Sequence, residues 1–218
     1  RLLAHMSDDE NLINAFLSGE DIHARTAAEV FGVSIDNITP DLRRKAKAVN
    51  FGIVYGIGAF SLAKDIHSTR AEAEQFINAY LALYSSINGY MQESIKIAKK
   101  NGYAETLFHR RRYLPELTAS NGALRAFGER VARNMPIQGT AADIIKIAMI
   151  KVYRRLENEL PESRLIMQVH DELILEAPAL LAPKAAQILK EEMENAVRLK
   201  VKLSAEAGTG KTWYEAKA

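Results

Sequence analysis

The spacing of the apolar residues changes after residue 159, and that change limits the folds the chain can adopt. Up to residue 159, apolar side chains recur mainly at helical spacings, interrupted by glycine and proline. Residues 165–169 and 173–176 are instead two short β-prone runs, joined by His170-Asp171-Glu172, and they predict a β-hairpin. The pattern therefore predicts an α+β, helix-rich protein with a small antiparallel sheet late in the chain.

Start and stop signals divide the helical part into segments. The strongest start is Thr39-Pro40-Asp41, which combines a threonine N-cap, proline at the first helical position and an acidic first turn. Residues 69–72 fit a capping box, and Pro136 and Gly139 are expected to kink or split their helix. Helices are predicted over residues 8–17, 22–31, 40–55, 70–84, 87–100, 122–159 and 185–199, a basic loop over 103–121, and a last strand over 201–206.

Composition excludes several classes of protein. The 218 residues contain no cysteine, which removes disulfides, thiolate zinc sites and cysteine nucleophiles and fits a reducing cytoplasm. No apolar run approaches the roughly 18 residues of a transmembrane helix, and the first thirty residues hold no secretory signal. Residues 1–39 carry a net charge of −5, residues 40–133 carry +7, and residues 134–218 are neutral. A basic middle fits a polyanion-binding surface, although by charge alone solvated helix faces are the simpler interpretation.

One face of the helix predicted from residue 40 carries two cations and two aromatic rings. Arg43, Lys47, Phe51 and Tyr55 follow one another at four-residue steps, so they line one slowly turning face. Guanidinium and ammonium groups can hold phosphates, and a ring one turn further on can stack on a sugar or base.

The two rings on this face have two possible interpretations. Phenylalanine and tyrosine at this spacing alone are more often core residues. Gly52 and Gly56, however, remove side chains beside the rings and would let a ligand approach the backbone. The glycines and the cations together favour a ligand with a multiply charged end and a flat end.

The predicted hairpin turn carries a pair of carboxylates, Asp171 and Glu172, next to His170. Carboxylate oxygens are the ligands that Mg²⁺ prefers, so this pair is a candidate metal site. A solvated turn is the simpler interpretation of the same residues. Another acid would have to come from elsewhere to hold two metal ions.

Four segments of the chain resemble the A family of DNA-directed DNA polymerases, the family of bacterial DNA polymerase I. They are Asp21-Ile22-His23 followed by TAAEVFG, then RRKAKAVNFGIVYG, RVARNMPIQGTAADIIK and MQVHDEL, in the family's order and spacing up to Trp213. The resemblance implies template-directed DNA synthesis, in which a primer 3′-hydroxyl attacks the α-phosphorus of a dNTP with the help of two Mg²⁺ ions. It also implies primer–template DNA and dNTPs as partners, no membrane, and a monomeric protein of the bacterial cytoplasm, associated with the nucleoid.

The resemblance implies roles for the residues at the start of this helix and beside it. Arg43 and Lys47 would hold the incoming triphosphate, with Lys47 as the proton donor to pyrophosphate and His23 as a further triphosphate contact. Phe51 would stack by the sugar and base, and Tyr55 would guard the insertion position.

The resemblance also implies roles for residues in the second half of the chain. Asp171 would be a metal-binding catalytic aspartate, with Glu172 beside it in support. Contacts with the primer–template near its terminus are implied for Arg130, Asn134, Gln138 and His170.

By the same resemblance, residues 1–130 are mainly the helical fingers subdomain, with a short palm-derived piece at the start, and residues 131–218 are part of the palm. The family's other catalytic aspartate lies in a DYSQIELR motif, of which this chain holds only Arg1. We therefore expect the thumb, that strand and the second metal ligand to be missing, and the chain alone to be inactive. His109 stands where relatives usually have glycine, which leaves the shape of that loop open.

Three other functions are considered for the chain. Residues 205–212, AEAGTGKT, satisfy a relaxed P-loop pattern, but only six residues follow, whereas a P-loop needs a helix and more sheet after it. A single-subunit RNA polymerase shares the Arg/Lys/Tyr-Gly pattern, although Phe51 and the QGTAAD segment favour the DNA enzymes. A non-catalytic module that binds DNA or nucleotide predicts salt-dependent DNA binding without Mg²⁺-dependent incorporation.

Overall fold

The computed structural model describes residues 1–217, which form ten α-helices and four short β-strands. The chain divides into two compact units, Arg1–Ile137 and Gln138–Ala218. The helix-rich α+β class predicted from the apolar spacing is confirmed. In the described residues the strands form two separate antiparallel pairs, whereas the sequence predicted only the later one.

The first unit is built mainly of helices whose N-termini are capped by side chains. Asp9, Asp21, Thr39 and Thr69 each accept a backbone N–H at a helix start. The capping box predicted at Thr69 is confirmed, because the Glu72 carboxylate also accepts the Thr69 N–H. The helices are α1 (Leu2–Ser7), α2 (Glu10–Leu17), α3 (Ile22–Phe31), α4 (Pro40–Val54), α5 (Ala59–Asp65), α6 (Arg70–Leu83), α7 (Ser85–Asn101) and the first part of α8 (Gly122–Glu159).

Two helices of this unit, α1 and α5, were not predicted from the sequence. They have only six and seven residues, too few for a helical period to stand out from chance. The helix predicted over residues 8–17 begins instead at Glu10, because Asp9 accepts the Leu12 N–H at 3.0 Å and so acts as its N-cap. Asp8 adopts a left-handed φ of 54° and ends α1.

Helices α3 and α4 pack against each other. Ala27 on α3 and Ala46 and Val49 on α4 are fully buried. Small residues let two helix backbones approach closely, so this contact determines which face of α4 points away from the core. Arg43, Lys47, Phe51 and Tyr55 are all exposed.

The basic loop predicted over residues 103–121 is wrong in its first half. Strand β1 (Tyr103–Glu105) pairs with β2 (Arg111–Tyr113), and a 3₁₀ turn follows at Pro115–Thr118. Each strand has three residues, too short for an alternating pattern to be recognised in the sequence. Packing against other elements stabilises the pair, because Ala104 of β1 is buried in a cluster with Ala98, Leu114, Leu117 and Ala132.

Helix α8 runs through Pro136 as a single helix, so it is not split there. Proline removes one helical N–H and costs about 3 kcal/mol in an isolated helix. Pro136 is buried here, and the helix buries apolar side chains in both units. Tertiary packing therefore outweighs the local helix-breaking preference.

The second unit contains the predicted hairpin, formed by β3 (Arg164–Val169) and β4 (Glu172–Glu176). It also contains α9 (Ala182–Glu194) and α10 (Trp213–Ala216). Its core includes a stripe along α8 at four-residue spacing, and the Arg155 guanidinium of that helix donates to Glu191 and Glu192 of α9 at 2.6 and 3.0 Å. The stripe consists of Ile144, Ala148, Val152 and Leu156.

Two predictions for the end of the chain are wrong. Helix α9 ends at Glu194, not at residue 199, because Lys151 Nζ donates to the Asn195 and Ala196 carbonyls at 2.7 and 3.0 Å. The strand predicted over residues 201–206 does not form. Within the described residues no neighbouring strand pairs with it, and the Ala205 N–H donates instead to the Glu194 carboxylate.

No helix in residues 1–217 has both the length and the apolar character to cross a membrane.

Candidate functional site

The cations and rings predicted to share one face of α4 do share one exposed face. Phe51 and Tyr55 are each 48% exposed, whereas Val49 and Ile53 on the other side of the helix are buried. The interpretation of these two rings as core residues is therefore wrong. Lys47 Nζ lies 5.9 Å from the centre of the Phe51 ring, so the charged and flat parts of the face adjoin.

The end of α4 positions Tyr55 through a Schellman motif. The Ile57 N–H donates to the Gly52 carbonyl at 2.8 Å, and the Gly56 N–H donates to the Ile53 carbonyl at 2.9 Å. Gly56 has the left-handed φ of 72° that this motif requires at its position. A Cβ on Gly52 would lie 2.6 Å from Ile57 Cγ2. Ile57 thus occupies the position that a side chain on Gly52 would take, while Gly52 and Gly56 both line the cleft at this end of α4.

Arg43 at the start of the exposed face is paired with the N-cap of α3. One oxygen of Asp21 accepts the His23 and Ala24 N–H groups at 2.9 and 3.2 Å, and the other accepts Arg43 Nε at 2.6 Å. Burial raises the pKa of Asp21, but the Arg43 contact and the two backbone donors outweigh it and leave the pKa below its ordinary value. Asp21 is therefore ionised at neutral pH and holds Arg43 beside the start of α3.

His23 joins the same site from α3. Its ring centre lies 5.9 Å from that of Phe51, and Asn50 Nδ2 donates to its Nδ1 atom at 2.8 Å. Burial lowers the pKa of His23, and the positive charges of Arg43 and Lys47 lower it further against the opposing effect of Asp21. We call Arg43 and Lys47, together with the neutral His23 ring beside them, the cationic cluster.

A cleft of about 530 Å³ lies beside the aromatic end of α4. Phe51, Tyr55 and Arg130 contribute to its lining, so the structure brings Arg130 to the same site. Asn134 Nδ2 donates to the Tyr55 carbonyl at 3.4 Å, which joins a second predicted α8 residue to the end of α4. These side chains suit a flat ligand at this end and a phosphorylated ligand at the cationic cluster.

Arg133, which the sequence did not single out, lies at the same end of α4. Its guanidinium packs on Gly56, where a Cβ would come within 2.8 Å of Nη2. Burial lowers the pKa of Arg133, and its buried Nε atom has no hydrogen-bond partner among residues 1–217. A signal was available, because Arg130, Arg133 and Asn134 are three and four residues apart and so share one face of α8.

In the second unit, Gln138, His170 and Asp171 line a recess of about 310 Å³ together with Ala141 and Ala142. His170 and Asp171 form the two-residue turn of the β3–β4 hairpin, and His170 has a left-handed φ of 52°. Histidine is one of the few residue types that enter this region at moderate cost. The turn holds the Asp171 carboxylate outward, exposed and without an ion-pair partner in the described part of the chain.

Glu172, the neighbouring carboxylate, is engaged elsewhere. Lys217 Nζ lies 2.7 Å from one of its oxygens, and Trp213 Nε1 donates to the other at 3.3 Å. The hydrogen bond from Lys217 is the main cause that lowers the pKa of Glu172. The two carboxylates thus differ: Asp171 is available to a ligand, whereas Glu172 is held by the α10 segment.

The donor set at the hairpin fits a magnesium ion held by few protein ligands. No group of three or more His, Asp or Glu side chains in residues 1–217 could enclose a metal ion. Mg²⁺, however, is commonly bound through one or two carboxylates, waters and substrate phosphates rather than by an all-protein cage. Asp171 can supply one such ligand.

The geometry of residues 205–212 contradicts the interpretation of this segment as a P-loop. A Cβ on Gly208 would collide with the Ala216 carbonyl, and one on Gly210 would lie 2.6 Å from Glu215 Cβ. The glycines are therefore required by the contact with α10. That helix has only four residues, too few to present a phosphate-binding N-terminus.

Comparison with known proteins gives consistent matches over the whole chain. Residues 1–215 match the model of DNA polymerase family A. DNA polymerase I of Caldicellulosiruptor bescii is 52% identical over 217 residues, which are 100% of this chain and 26% of that protein. The DNA polymerase I proteins of Geobacillus stearothermophilus and Bacillus subtilis are 51% and 50% identical, again over 100% of this chain and 25% of each relative.

A solved structure has the same fold. The POL domain of Pol1 from M. smegmatis, in complex with DNA primer-template and dNTP, matches with a TM-score of 0.94 and 41% identity. The match covers 100% of this chain and 38% of that one. This chain spans about a quarter of the length of the curated relatives it matches.

Proposed function

The chain belongs to DNA polymerase family A, and from this premise we propose that it supplies the dNTP-binding helices and a catalytic carboxylate of a template-directed DNA polymerase. The observation that carries the proposal is the cationic cluster beside Phe51 and Tyr55 on one exposed face. Such a face matches the charged and flat ends of a nucleoside triphosphate. The similar structure in complex with DNA primer-template and dNTP supports the same assignment.

In this proposal, residues 1–130 are mainly the fingers subdomain, with a short palm-derived piece at the start, and residues 131–218 belong to the palm. The division of the chain into compact units after Ile137 supports a boundary in this part of α8. A monomeric state and a cytoplasmic location, associated with the nucleoid, remain predictions.

The cationic cluster binds the triphosphate. Asp21 engages Arg43 through Nε, so the two terminal nitrogens of the guanidinium can still meet phosphate oxygens. Lys47 is exposed and has no carboxylate partner in the described part of the chain. Its ammonium group can therefore hold the phosphates and give a proton from Nζ to the leaving pyrophosphate oxygen as the bond to the α-phosphorus breaks.

The other predicted residues bind the sugar, the base and the DNA. Phe51 stacks by the sugar and base, and Tyr55, held at the Schellman end of α4, guards the insertion position. The residues proposed to contact the primer–template near its terminus are Arg130, Asn134, Gln138 and His170.

Asp171 is proposed as a ligand of the catalytic Mg²⁺, with Glu172 in support. Magnesium, when bound, stabilises negative charge on the reacting phosphoryl oxygens. The hairpin turn holds Asp171 outward, and Lys217 and Trp213 keep Glu172 in a fixed position beside it. Two ions of this kind require a second carboxylate in addition to Asp171.

Primer extension with Mg²⁺ and dNTPs tests the proposal, on this chain and on a longer polypeptide that adds the DYSQIELR segment and a thumb. We expect Lys47→Ala in the longer polypeptide to lower incorporation by about 10²-fold or more while primer–template affinity is kept. Lys45→Ala is the matched control, because Lys45 lies on the same helix but pairs with Asp41 at 3.1 Å. Wild-type turnover in Lys47→Ala would refute the role of Lys47.

The same assay separates the alternatives. Extension by the longer polypeptide but not by this chain is the result expected from the resemblance. If neither extends the primer but both bind it in a salt-dependent way, the non-catalytic DNA-binding function becomes the better interpretation. Preference for rNTPs over dNTPs would favour the RNA polymerase alternative.

A further inference from the structure

Asn50 connects the two helices that carry the cationic cluster. It lies on α4 between Lys47 and Phe51, and its Nδ2 atom donates to His23 Nδ1 on α3 at 2.8 Å. An amide nitrogen donates and does not accept, so the Nδ1 atom that faces it must carry a lone pair. In a neutral imidazole the proton then resides on Nε2.

Two buried hydroxyl groups lie behind the Asn50 amide, and one arrangement of their protons places Oδ1 toward Thr26 and Nδ2 toward the His23 ring. Thr26 Oγ1 lies 3.2 Å from Asn50 Oδ1, and the Tyr84 hydroxyl lies 3.3 Å from Thr26 Oγ1. Thr26 and Tyr84 are 1% and 0% exposed, so water does not compete for these contacts. In this arrangement Thr26 donates to Asn50 Oδ1, Asn50 Nδ2 donates to the ring, and the Tyr84 hydroxyl can donate to Thr26.

One competing arrangement uses the same atoms. The Ile22 carbonyl lies 2.7 Å from Thr26 Oγ1 and can accept its single proton. Asn50 could then present Oδ1 to the ring, which would require the proton on His23 Nδ1 and would leave a lone pair on Nε2. The two arrangements place the ring proton on different nitrogens, so they can be distinguished by measurement.

The charge around His23 makes this distinction matter. Burial, Arg43 and Lys47 all lower its pKa, which favours the neutral ring. A neutral ring has a single N–H, whereas a protonated ring donates from both nitrogens. Phosphate oxygens accept hydrogen bonds, so a neutral His23 can contact them only through a nitrogen that carries the proton.

We propose that Asn50 is a positioning residue that keeps the proton of neutral His23 on Nε2, so that the ring offers an N–H donor to the triphosphate of the incoming nucleotide. The inference rests on the proposed function, because that function makes the triphosphate the ligand of His23. Thr26 and Tyr84 act behind Asn50 by fixing its amide. None of these three residues needs to touch the nucleotide.

The position of the proton is tested by NMR on this chain with ¹⁵N-labelled histidine. The chain has five histidines, and the His23 signals are those lost in His23→Gln. We expect multiple-bond ¹H–¹⁵N correlations to show the Nε2–H tautomer. In Asn50→Asp the new carboxylate can only accept, so the proton should move to Nδ1.

Asn78→Asp is the matched control, because Asn78 is exposed on α6 and the change in charge is the same. It should leave the His23 tautomer unchanged. The signals of the other four histidines show whether each variant is folded. A wild-type chain with the proton on Nδ1, or a folded Asn50→Asp chain that keeps it on Nε2, would overturn the inference.

Titration with inorganic tripolyphosphate tests the contact separately. We expect the His23 signals to shift, and Asn50→Leu to weaken tripolyphosphate binding by about two- to tenfold, the value of one hydrogen bond. Asn78→Leu should bind as the wild type does. Unshifted His23 signals at saturation would refute the proposed triphosphate contact, whereas the tautomer measurement refutes only the role of Asn50.

Discussion

Replacing Gly52 with alanine tests how α4 ends at Tyr55. A Cβ at this position would lie 2.6 Å from Ile57 Cγ2 and 3.4 Å from Ile57 Cβ. Ile57 cannot withdraw freely, because its N–H donates to the Gly52 carbonyl at 2.8 Å in the Schellman motif. The new methyl group must therefore force Ile57 into another rotamer or open the end of the helix.

The expected change in stability is the difference of two opposing effects. Alanine in place of glycine inside a helix stabilises it by about 1 kcal/mol. Overpacking of this kind costs about 1–3 kcal/mol. Gly52→Ala should thus lower the free energy of unfolding by about 0–2 kcal/mol. In an Ile57→Ala background, which lacks Cγ2, Gly52→Ala should instead raise the free energy of unfolding by up to about 1 kcal/mol. The coupling energy between the two substitutions is then about 1–3 kcal/mol.

Urea unfolding followed by far-UV circular dichroism measures this coupling. Gly89→Ala in α7 is the matched control, because a Cβ there meets no atom within 4 Å and the gain of about 1 kcal/mol should appear in full. The reasoning fails if Gly52→Ala stabilises the wild-type chain as much as the Ile57→Ala chain.

Three further outcomes are expected from local contacts. Thr69→Ala removes the hydroxyl that accepts the Glu72 N–H at 3.2 Å and should cost about 1 kcal/mol in urea unfolding; no change would contradict its role as a cap. His109 has a left-handed φ of 63°, so His109→Gly should raise the thermal midpoint and increase the free energy of unfolding by about 0.5–1 kcal/mol. A lower midpoint would show that the contact of His109 with Glu105 at 2.9 Å contributes more to stability than the backbone strain costs. The pKa of His23 is lowered below its ordinary 6.5 by burial, so its contribution to stability is present above that pH and is lost as the pH falls below it. Urea midpoints at about pH 7.5 and about pH 5.5 should therefore converge in His23→Gln, and an equal pH dependence in both chains would count against this assignment.

Much of the site on α4 could be predicted from the sequence because it depends on local geometry. Thr39 and Pro40 begin the helix with signals that act within one turn, and the structure has the helix start there. Four-residue spacing places Arg43, Lys47 and Phe51 on one face of any regular helix. The hairpin at residues 164–176 follows equally from two short β-prone runs and the turn between them. The order of the four motifs was enough to identify the family.

Other features depended on contacts between residues far apart in the chain. Packing of α3 on α4 determined that Phe51 and Tyr55 face outward, and it brought His23 to Asn50 and Asp21 to Arg43. A contact of the same kind makes Asp171 and Glu172 differ in availability to a ligand. Lys217, which lies 45 residues further along the chain, forms an ion pair with Glu172. The strand predicted over residues 201–206 failed for the converse reason, since its alternating pattern found no partner strand in residues 1–217.

What could and could not be predicted from the sequence depends on how far apart in the chain the interacting residues lie. Caps, turns and helical spacing act between residues a few positions apart, so the sequence alone determined where α4 begins and which side chains share its face. Exposure, ion pairing and the proton position on His23 depend on which distant groups become neighbours when apolar surface is buried. These properties arise only when the chain is folded, and they determine which of the predicted residues can bind a ligand.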